Sequence, residues 1–216
     1  MDHMSDNTNN TEEKILKAAE REFLEKGYAG ARTASIAEAA GVTHAMLHYY
    51  FRTKEKLFEK IVSDKIGTIG NLVLSAFGDE NLPLAERVKQ GVERHFDFIA
   101  ANRDLPRFLI NEVYANPSLF EGNAIGIKSI TSCLLDKLQA DINEGAARGE
   151  CRQLDARMLI SDIVSLNVFP FVAAPIVGVA LGGIYESYGH YLALRKAENV
   201  RTILDKLMGC SINYPI

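Results

Sequence analysis

Cysteine is scarce in this chain of 216 residues, and Cys133, Cys151 and Cys210 lie far apart with no CxxC spacing. This pattern argues against a disulfide framework and a zinc site, so we expect no metal, no cofactor and reduced thiols typical of the cytoplasm. No GxSxG, HExxH or P-loop motif is present, and neither His95 nor His190 has a nucleophile motif beside it. We therefore expect that the chain is not an enzyme.

An overall excess of positive charge is also absent. The 24 Lys and Arg residues are outnumbered by 28 Asp and Glu residues, for a net charge of -4. That balance argues against indiscriminate binding to nucleic acid, because such binding grows with the number of phosphates neutralised. Residues 26–60 differ, since they hold six basic and three acidic residues, a local net charge of +3. This segment is where we expect contact with phosphate groups.

One stretch, residues 163–185, has no charged residue and is long enough to span a bilayer. Its flanks are the acidic Asp162 and Glu186 rather than a basic cluster, and Pro170 and Pro175 interrupt it. We predict a broken, buried helix here and no membrane span.

Helical patterns dominate the chain, and the regular alternation of apolar and polar residues that a sheet needs is not found. We predict an all-α fold of about nine helices. The polar residues 1–10 are interpreted as a flexible leader, and a first helix is predicted from Thr11 to a left-handed end at Gly27.

Two short helices are predicted next, at about Thr33 to Ala40 and His44 to Phe51, joined through a turn that begins at Gly41. Thr43 is placed to cap the second helix. The 3.6-residue period turns Leu47, Tyr50 and Phe51 inward. Two short helices that pack on a preceding one form a helix-turn-helix, whose second helix can enter the DNA major groove.

The segment Gly41–Phe58, GVTHAMLHYYFRTKEKLF, resembles the turn, recognition helix and following helix start of the TetR family of transcriptional regulators. The resemblance covers about residues 11–61. It implies a helix-turn-helix DNA-binding domain at 11–53 and a ligand-binding and dimerisation domain at 54–216. It further implies a homodimer on a pseudo-palindromic operator in double-stranded DNA, acting as a repressor that a small-molecule effector releases. An activator, or a ligand-insensitive DNA-binding protein of the same fold, is the alternative.

The resemblance also implies which residues contact DNA. Phosphate contacts are expected from Thr33 at the start of the first short helix, from Thr43, from Tyr49 or Tyr50, and from Lys54 at the start of the helix that follows. Base edges are expected to meet Thr43, His44, Ala45 and His48. The family commonly has lysine where His44 stands and tyrosine where His48 stands, so we expect a different base preference. Because histidine changes its charge near neutral pH, DNA affinity should rise as the pH falls.

The remaining helices carry weaker signals. By resemblance they enclose a cavity for a mostly apolar small molecule, and the candidate wall and anchor residues are Phe96, Phe108, Asn111, Glu112, Val113, Tyr114, Asn167 and Phe169. The last two predicted helices have more apolar surface than a peripheral pair needs. The residues predicted for a dimer interface on them are Leu159, Ile163, Leu192, Val200, Ile203 and Leu207. For both sets, ordinary packing inside one chain is the alternative.

Overall fold

The computed structural model describes residues 3–77, 81–115, 117, 124–180, 182 and 186–209. Within these ranges the chain forms ten helices and no strand, which confirms the predicted all-α class. The helices are α1 (His3–Gly30), α2 (Thr33–Ala40), α3 (His44–Tyr50), α4 (Lys54–Phe77), α5 (Leu84–Ala101), α6 (Leu105–Ala115), α7 (Ala124–Ala147), α8 (Ala156–Val172), α9 (Ala174–Ala180) and α10 (Tyr188–Met208). Cys210 lies outside the described residues.

The chain divides into two compact units. The first comprises Met1–Gly67 and Arg107–Gly126, and the second comprises Thr68–Pro106 and Ile127–Ile216. The first unit therefore contains the helix-turn-helix together with the first part of α4 and most of α6. The predicted boundary between a DNA-binding domain at 11–53 and a ligand-binding and dimerisation domain at 54–216 stays a prediction.

The first unit is built on the apolar face of α1. Ile15, Ala19 and Phe23 recur at helical spacing and are fully buried. The Phe23 ring meets Phe58 of α4 edge to face, with ring centroids 5.2 Å apart. This core holds α1 against the start of α4.

Both ends of α1 differ from the prediction. The helix begins at His3 and not at Thr11; the flexible leader expected at residues 1–10 stays a prediction. This segment contains neither proline nor glycine, the two residues that most disfavour a helix interior, although its Ser, Asp, Asn and Thr residues are weak helix formers. At the other end Gly27 has the predicted positive φ, 66°, but helical structure resumes after it and continues to Gly30. Gly27 is therefore a kink inside α1.

The helix-turn-helix follows the predicted bounds closely. Gly41 ends α2 in the left-handed conformation, with φ 67° and ψ 32°, which glycine adopts without a Cβ penalty. The Thr43 hydroxyl oxygen caps α3 by accepting a hydrogen bond from the Met46 amide at 3.2 Å. Leu47 and Phe51 are buried as predicted, and Tyr50 is half-buried. One face of α3 is thereby fixed inward.

The second unit has two apolar clusters. The first joins α5, α7, α8 and α10 through Val88, Val92, Leu134, Leu138, Ile142, Ala156, Leu159, Ile163, Ile203 and Leu207. The second joins α5, α8, α9 and α10 and includes Phe96, Ile99, Phe171, Val177, Tyr191 and Leu192. Both clusters include residues of α5, α8 and α10.

The predicted break in the uncharged stretch is confirmed at Ala173, three residues after Pro170, and α8 and α9 are bent by 72° there. Burial is incomplete, since Pro170 and Phe171 are buried but Ile176 and Val179 are exposed. In the described part of the chain, no single helix has the length and apolar character to cross a membrane, and only the bent pair of α8 and α9 meets that test together.

The residues predicted for the dimer interface lie mostly inside one chain. Leu159, Ile163, Leu192, Ile203 and Leu207 are each at most 5% exposed, and Val200 is half-buried. Side chains this deeply buried have almost no area left to cover with a partner, so packing inside one chain accounts for them. The apolar side chains that α8 and α10 leave exposed are Met158, Val164, Phe169, Leu194 and Met208.

A polar cluster lies within the second unit. The Asn167 side-chain amide is fully buried, donates to the Val92 carbonyl oxygen at 2.9 Å and lies 3.1 Å from His95 Nδ1. The Asn199 amide donates in turn to Asn167 Oδ1 at 2.9 Å. Buried polar groups need such partners, so the cluster fixes how α5, α8 and α10 align.

The buried His95 predicts how stability depends on pH. Burial lowers the pKa of His95 from 6.5 to about 4. The unfolded chain therefore binds a proton on this residue at a pH where the folded chain does not, and stability is lost as the pH falls below 6.5 towards 4. From pH 7 to pH 5 we expect a loss on the order of 2 kcal/mol from this group.

The measurement is the free energy of unfolding in urea at pH 7 and pH 5. His95→Gln should remove most of the difference between the two pH values. His48→Gln, which removes an exposed histidine, should leave it in place. An equal pH dependence in His95→Gln and in the unchanged protein would show that this histidine is not the cause.

Candidate DNA-binding interface

The outer face of α3 carries the residues predicted to meet base edges. His44, Ala45 and His48 are exposed, while Leu47, on the opposite side, is buried. Tyr49 is 79% exposed and meets the Tyr50 ring edge to face, with centroids 5.5 Å apart. The helix thus offers two imidazoles and one small side chain on its free surface. These groups suit hydrogen bonding to base edges and contact with a thymine methyl.

Two predicted residues from different helices are brought together. Thr33 Oγ1, at the first residue of α2, lies 3.1 Å from His44 Nε2 at the first residue of α3. The two groups share one hydrogen bond, and the tautomer of His44 decides which of them donates. A protonated His44 must donate, which leaves the Thr33 hydroxyl proton free for a phosphate oxygen.

A cationic cavity of about 430 Å³ lies beside this pair. Its lining has basic groups, hydroxyls and apolar side chains, and no carboxylate: Ala31, Arg32, Thr33, Ala34, His44, Leu47, His48, Phe51, Arg52, Thr53 and Lys54. Arg32 and Arg52 entered the sequence reasoning only as part of the local charge. The composition of this lining suits an anionic backbone group.

The position of Lys54 depends on a residue that sequence reasoning missed. Lys54 Nζ lies over the Tyr28 ring, 4.6 Å from its centroid. The Tyr28 hydroxyl donates to Glu55 Oε1 at 2.6 Å, and this hydrogen bond holds the pKa of Glu55 below its usual range. Burial is the main cause of a raised Tyr28 pKa. Tyr28 and Lys54 are 26 positions apart, so no local pattern links them.

The connection from α1 to α2 is held by a second carboxylate. Glu22 Oε1 accepts from the Arg32 backbone amide at 3.2 Å, and both Glu22 oxygens accept from Lys26. The Lys26 hydrogen bond is the main reason that the pKa of Glu22 is lowered. Arg32 immediately precedes α2, so this contact helps to fix where α2 begins and where Thr33 lies.

The residues predicted to line a ligand cavity are divided between the two units. Phe108, Asn111, Glu112, Val113 and Tyr114 belong to the first, and Phe96, Asn167 and Phe169 belong to the second. Phe96 and Asn167 are buried in the second unit, whereas Phe169 is exposed. In the first unit Phe108 and Glu112 are buried, and the other three are exposed. A role in ligand binding stays a prediction for all eight.

Another cavity, of about 440 Å³, lies in the second unit. It is lined by Arg87, Asp141, Arg148, Cys151 and neighbouring residues, none of them predicted for ligand binding. Arg87 is paired with Asp141 at 2.7 Å, and Arg148 with Glu144 at 2.7 Å. Across the residues that the structure describes, no three His, Cys, Asp or Glu side chains form a group that could hold a metal ion.

Comparison with known proteins identifies the class. The family model described as bacterial regulatory proteins, tetR family, matches residues 15–61. The uncharacterized HTH-type transcriptional regulator YdgC of Bacillus subtilis (strain 168) is 30% identical over 103 residues, which cover 45% of this chain and 53% of YdgC. The HTH-type transcriptional regulator RutR of Escherichia coli O157:H7 is 32% identical over 149 residues, which cover 68% of this chain and 66% of RutR. The chain thus spans about half of one relative and about two thirds of the other.

The fold has a counterpart among solved structures. The transcriptional regulator SCO4942 from Streptomyces coelicolor superposes with a TM-score of 0.69 at 22% identity, covering 91% of this chain and 98% of that one. The family match and the similar regulators define the class as helix-turn-helix regulators of transcription. The chain belongs to the TetR family.

The geometry of the site predicts that its residues act in two ways. Lys54→Ala and Tyr49→Phe should weaken binding to every duplex, because phosphate contacts carry no sequence information. Lys54→Ala should also lower the steepness of the salt dependence by about 0.9 for each phosphate that is no longer neutralised. His48→Ala should mainly relax the preference for one sequence over another.

Fluorescence anisotropy with a selected duplex and a scrambled duplex, at several salt concentrations, measures both effects. Lys56→Ala is the matched control, because Lys56 is an exposed lysine of the same helical turn that is paired with Glu59 at 2.7 Å. Unchanged affinity and selectivity in all three variants would contradict the assignment of α3 as the reading helix.

Proposed function

We propose that this protein is a sequence-specific repressor that binds a pseudo-palindromic operator as a homodimer and is released from it by a small, mostly apolar ligand. The observation that carries the DNA-binding part is the outer face of α3, where His44, Ala45 and His48 are exposed beside a cationic cavity. TetR-family regulators bind DNA and small-molecule effectors and act as dimers. The operator, the ligand and the sign of regulation in this chain belong to the proposal.

Recognition in the proposal has two components. Thr33, Lys54 and the tyrosines of α3 hold the phosphate backbone, while His44, Ala45 and His48 meet base edges. Imidazole nitrogens can donate to or accept from purine N7 and exocyclic groups, depending on their protonation. The presence of histidine at both sites therefore supports a base preference that differs from that of family members with lysine in place of His44 and tyrosine in place of His48.

We place the dimer contact on the outward faces of α8 and α10. The inward faces of these two helices are joined by Leu159, Ile163, Ile203 and Leu207. Outward they leave Val164 43% exposed and Leu194 48% exposed, which are apolar side chains available to a partner. A two-fold dimer presents two reading helices spaced by about one turn of DNA, or a multiple of it, and so requires an operator with two-fold symmetry.

A charged substitution on this face tests the dimer. Leu194→Asp should shift the protein from dimer to monomer and reduce operator affinity, because a carboxylate cannot be buried in an apolar contact without a partner. Sedimentation velocity over a range of protein concentrations measures the shift. Ile110→Asp on α6, which alters an isoleucine of similar exposure, 40%, is the control. A dimer of undiminished affinity in Leu194→Asp would place the interface elsewhere.

Selection of bound fragments from a random duplex pool tests the function as a whole. We expect a pseudo-palindrome to be enriched at two salt concentrations, with half-sites about one helical turn apart or a multiple of it. The enriched duplex then serves as the probe against which small apolar compounds are screened for release. No enrichment at either salt concentration, before or after unfolding and refolding to remove a co-purified ligand, would contradict sequence-specific binding. Enrichment without release by any compound would favour a ligand-insensitive protein.

A further inference from the structure

A carboxylate of α6 contacts α1 at the kink beside the predicted DNA-binding domain, residues 11–53, which we call the DNA-binding head. Glu112 is 7% exposed, and its Oε1 atom accepts a hydrogen bond from the Tyr28 backbone amide at 2.9 Å. All these residues belong to the first unit. We infer that Glu112 is a positioning residue for the contact between Lys54 and the DNA backbone, and that it acts through Tyr28. This inference rests on the proposed function, since it assigns Glu112 a part in DNA binding.

The backbone at the kink is fitted closely to the carboxylate. Gly27 has φ 66° and ψ 173°, a conformation that residues other than glycine rarely adopt. A Cβ atom at this position would lie 2.9 Å from Glu112 Oε1. The kink therefore needs glycine for two reasons, its φ angle and the approach of Glu112. The direction in which Tyr28 leaves the kink is set by both.

Tyr28 links the kink in α1 to α4 through three contacts. Its ring lies under Lys54 Nζ, its hydroxyl donates to Glu55 Oε1, and it meets the Phe58 ring edge to face at 5.0 Å between centroids. The Tyr28 side chain thus contacts α4 at three of its residues. A lysine over an aromatic face keeps N–H groups that point away from the ring, and these can donate to a phosphate oxygen.

Removal of the acceptor at position 112 has a direct consequence. Without it the Tyr28 amide lacks the carboxylate that accepts its hydrogen bond, and the kink relaxes to find another acceptor. Tyr28 then no longer holds the Lys54 ammonium in place. The sequence-based alternative makes Glu112 a polar anchor for the ligand, but its Oε1 already accepts from the main chain of α1.

The test compares the salt dependence of DNA binding among variants at position 112. Glu112→Met removes the acceptor at similar volume and should weaken binding to all duplexes about 10-fold, lowering the slope of log affinity against log salt by about 0.9 for each phosphate that Lys54 no longer neutralises. Glu112→Gln keeps an oxygen that can accept from Tyr28 and should restore most of the slope. Glu25→Met, which removes an exposed carboxylate two residues before Gly27, is the matched control.

A double variant shows whether Glu112 acts through Lys54. In the Lys54→Ala background, Glu112→Met should cause little further decrease in affinity, because the lysine that it positions is already gone. Full additivity, or a slope that Glu112→Met leaves unchanged, would overturn the inference. If Glu112→Met does not fold, Gly27→Ala disturbs the same contact from the other side and should lower the slope in the same way; an unchanged slope there also overturns the inference.

The unchanged protein serves to separate this inference from the proposed function. Absence of salt-sensitive binding by the unchanged protein contradicts the function itself. Binding by the unchanged protein that responds to Lys54→Ala but not to Glu112→Met contradicts only the role of Glu112.

Discussion

The DNA-binding head depends on how two carboxylates satisfy the backbone where α1 gives way to α2. Glu22 accepts from the Arg32 amide and Glu112 accepts from the Tyr28 amide, one on each side of the short segment that follows the kink at Gly27. Amides at an interrupted helix have no helical partner, and leaving one buried without an acceptor is costly. These two contacts therefore decide where α2 starts and where Tyr28 points. The positions of Thr33 and Lys54 follow from them.

In the second unit, buried polar side chains fix how the helices align. Among the polar residues buried in its core, His95, Asn167 and Asn199 bond to one another and to main-chain oxygens across α5, α8 and α10. Apolar side chains alone would let these helices slide past each other by a turn at modest cost. A buried amide that has partners at only one alignment removes that freedom. The cluster thus explains why polar residues persist in the most buried part of the unit.

The spacing of apolar and capping residues predicts the helix-turn-helix, but it does not predict the long-range contacts that position it. The bounds of α2, the Thr43 cap and the inward Leu47 follow from spacing and capping chemistry within a few residues. The contacts of Tyr28 with Lys54 and Glu112 join residues 26 and 84 positions apart, and no periodicity marks such a pair. Apolar periodicity also predicts that a helix face is buried, but it does not predict whether the same chain or a second chain covers that face. For that reason Leu159 and Ile203, predicted for an interface, are found in the core of a single chain.

The hydrogen bond between Thr33 and His44 links the two tasks of the head, because one partner is expected on the phosphate backbone and the other on a base edge. A substitution at His44 that suits a new operator also changes what the Thr33 hydroxyl can donate to. Divergence of binding sites between duplicated copies of such a regulator would then proceed by paired substitutions at these two positions. A single change at either one would alter general affinity and base preference together, which narrows the evolutionary routes open to the protein.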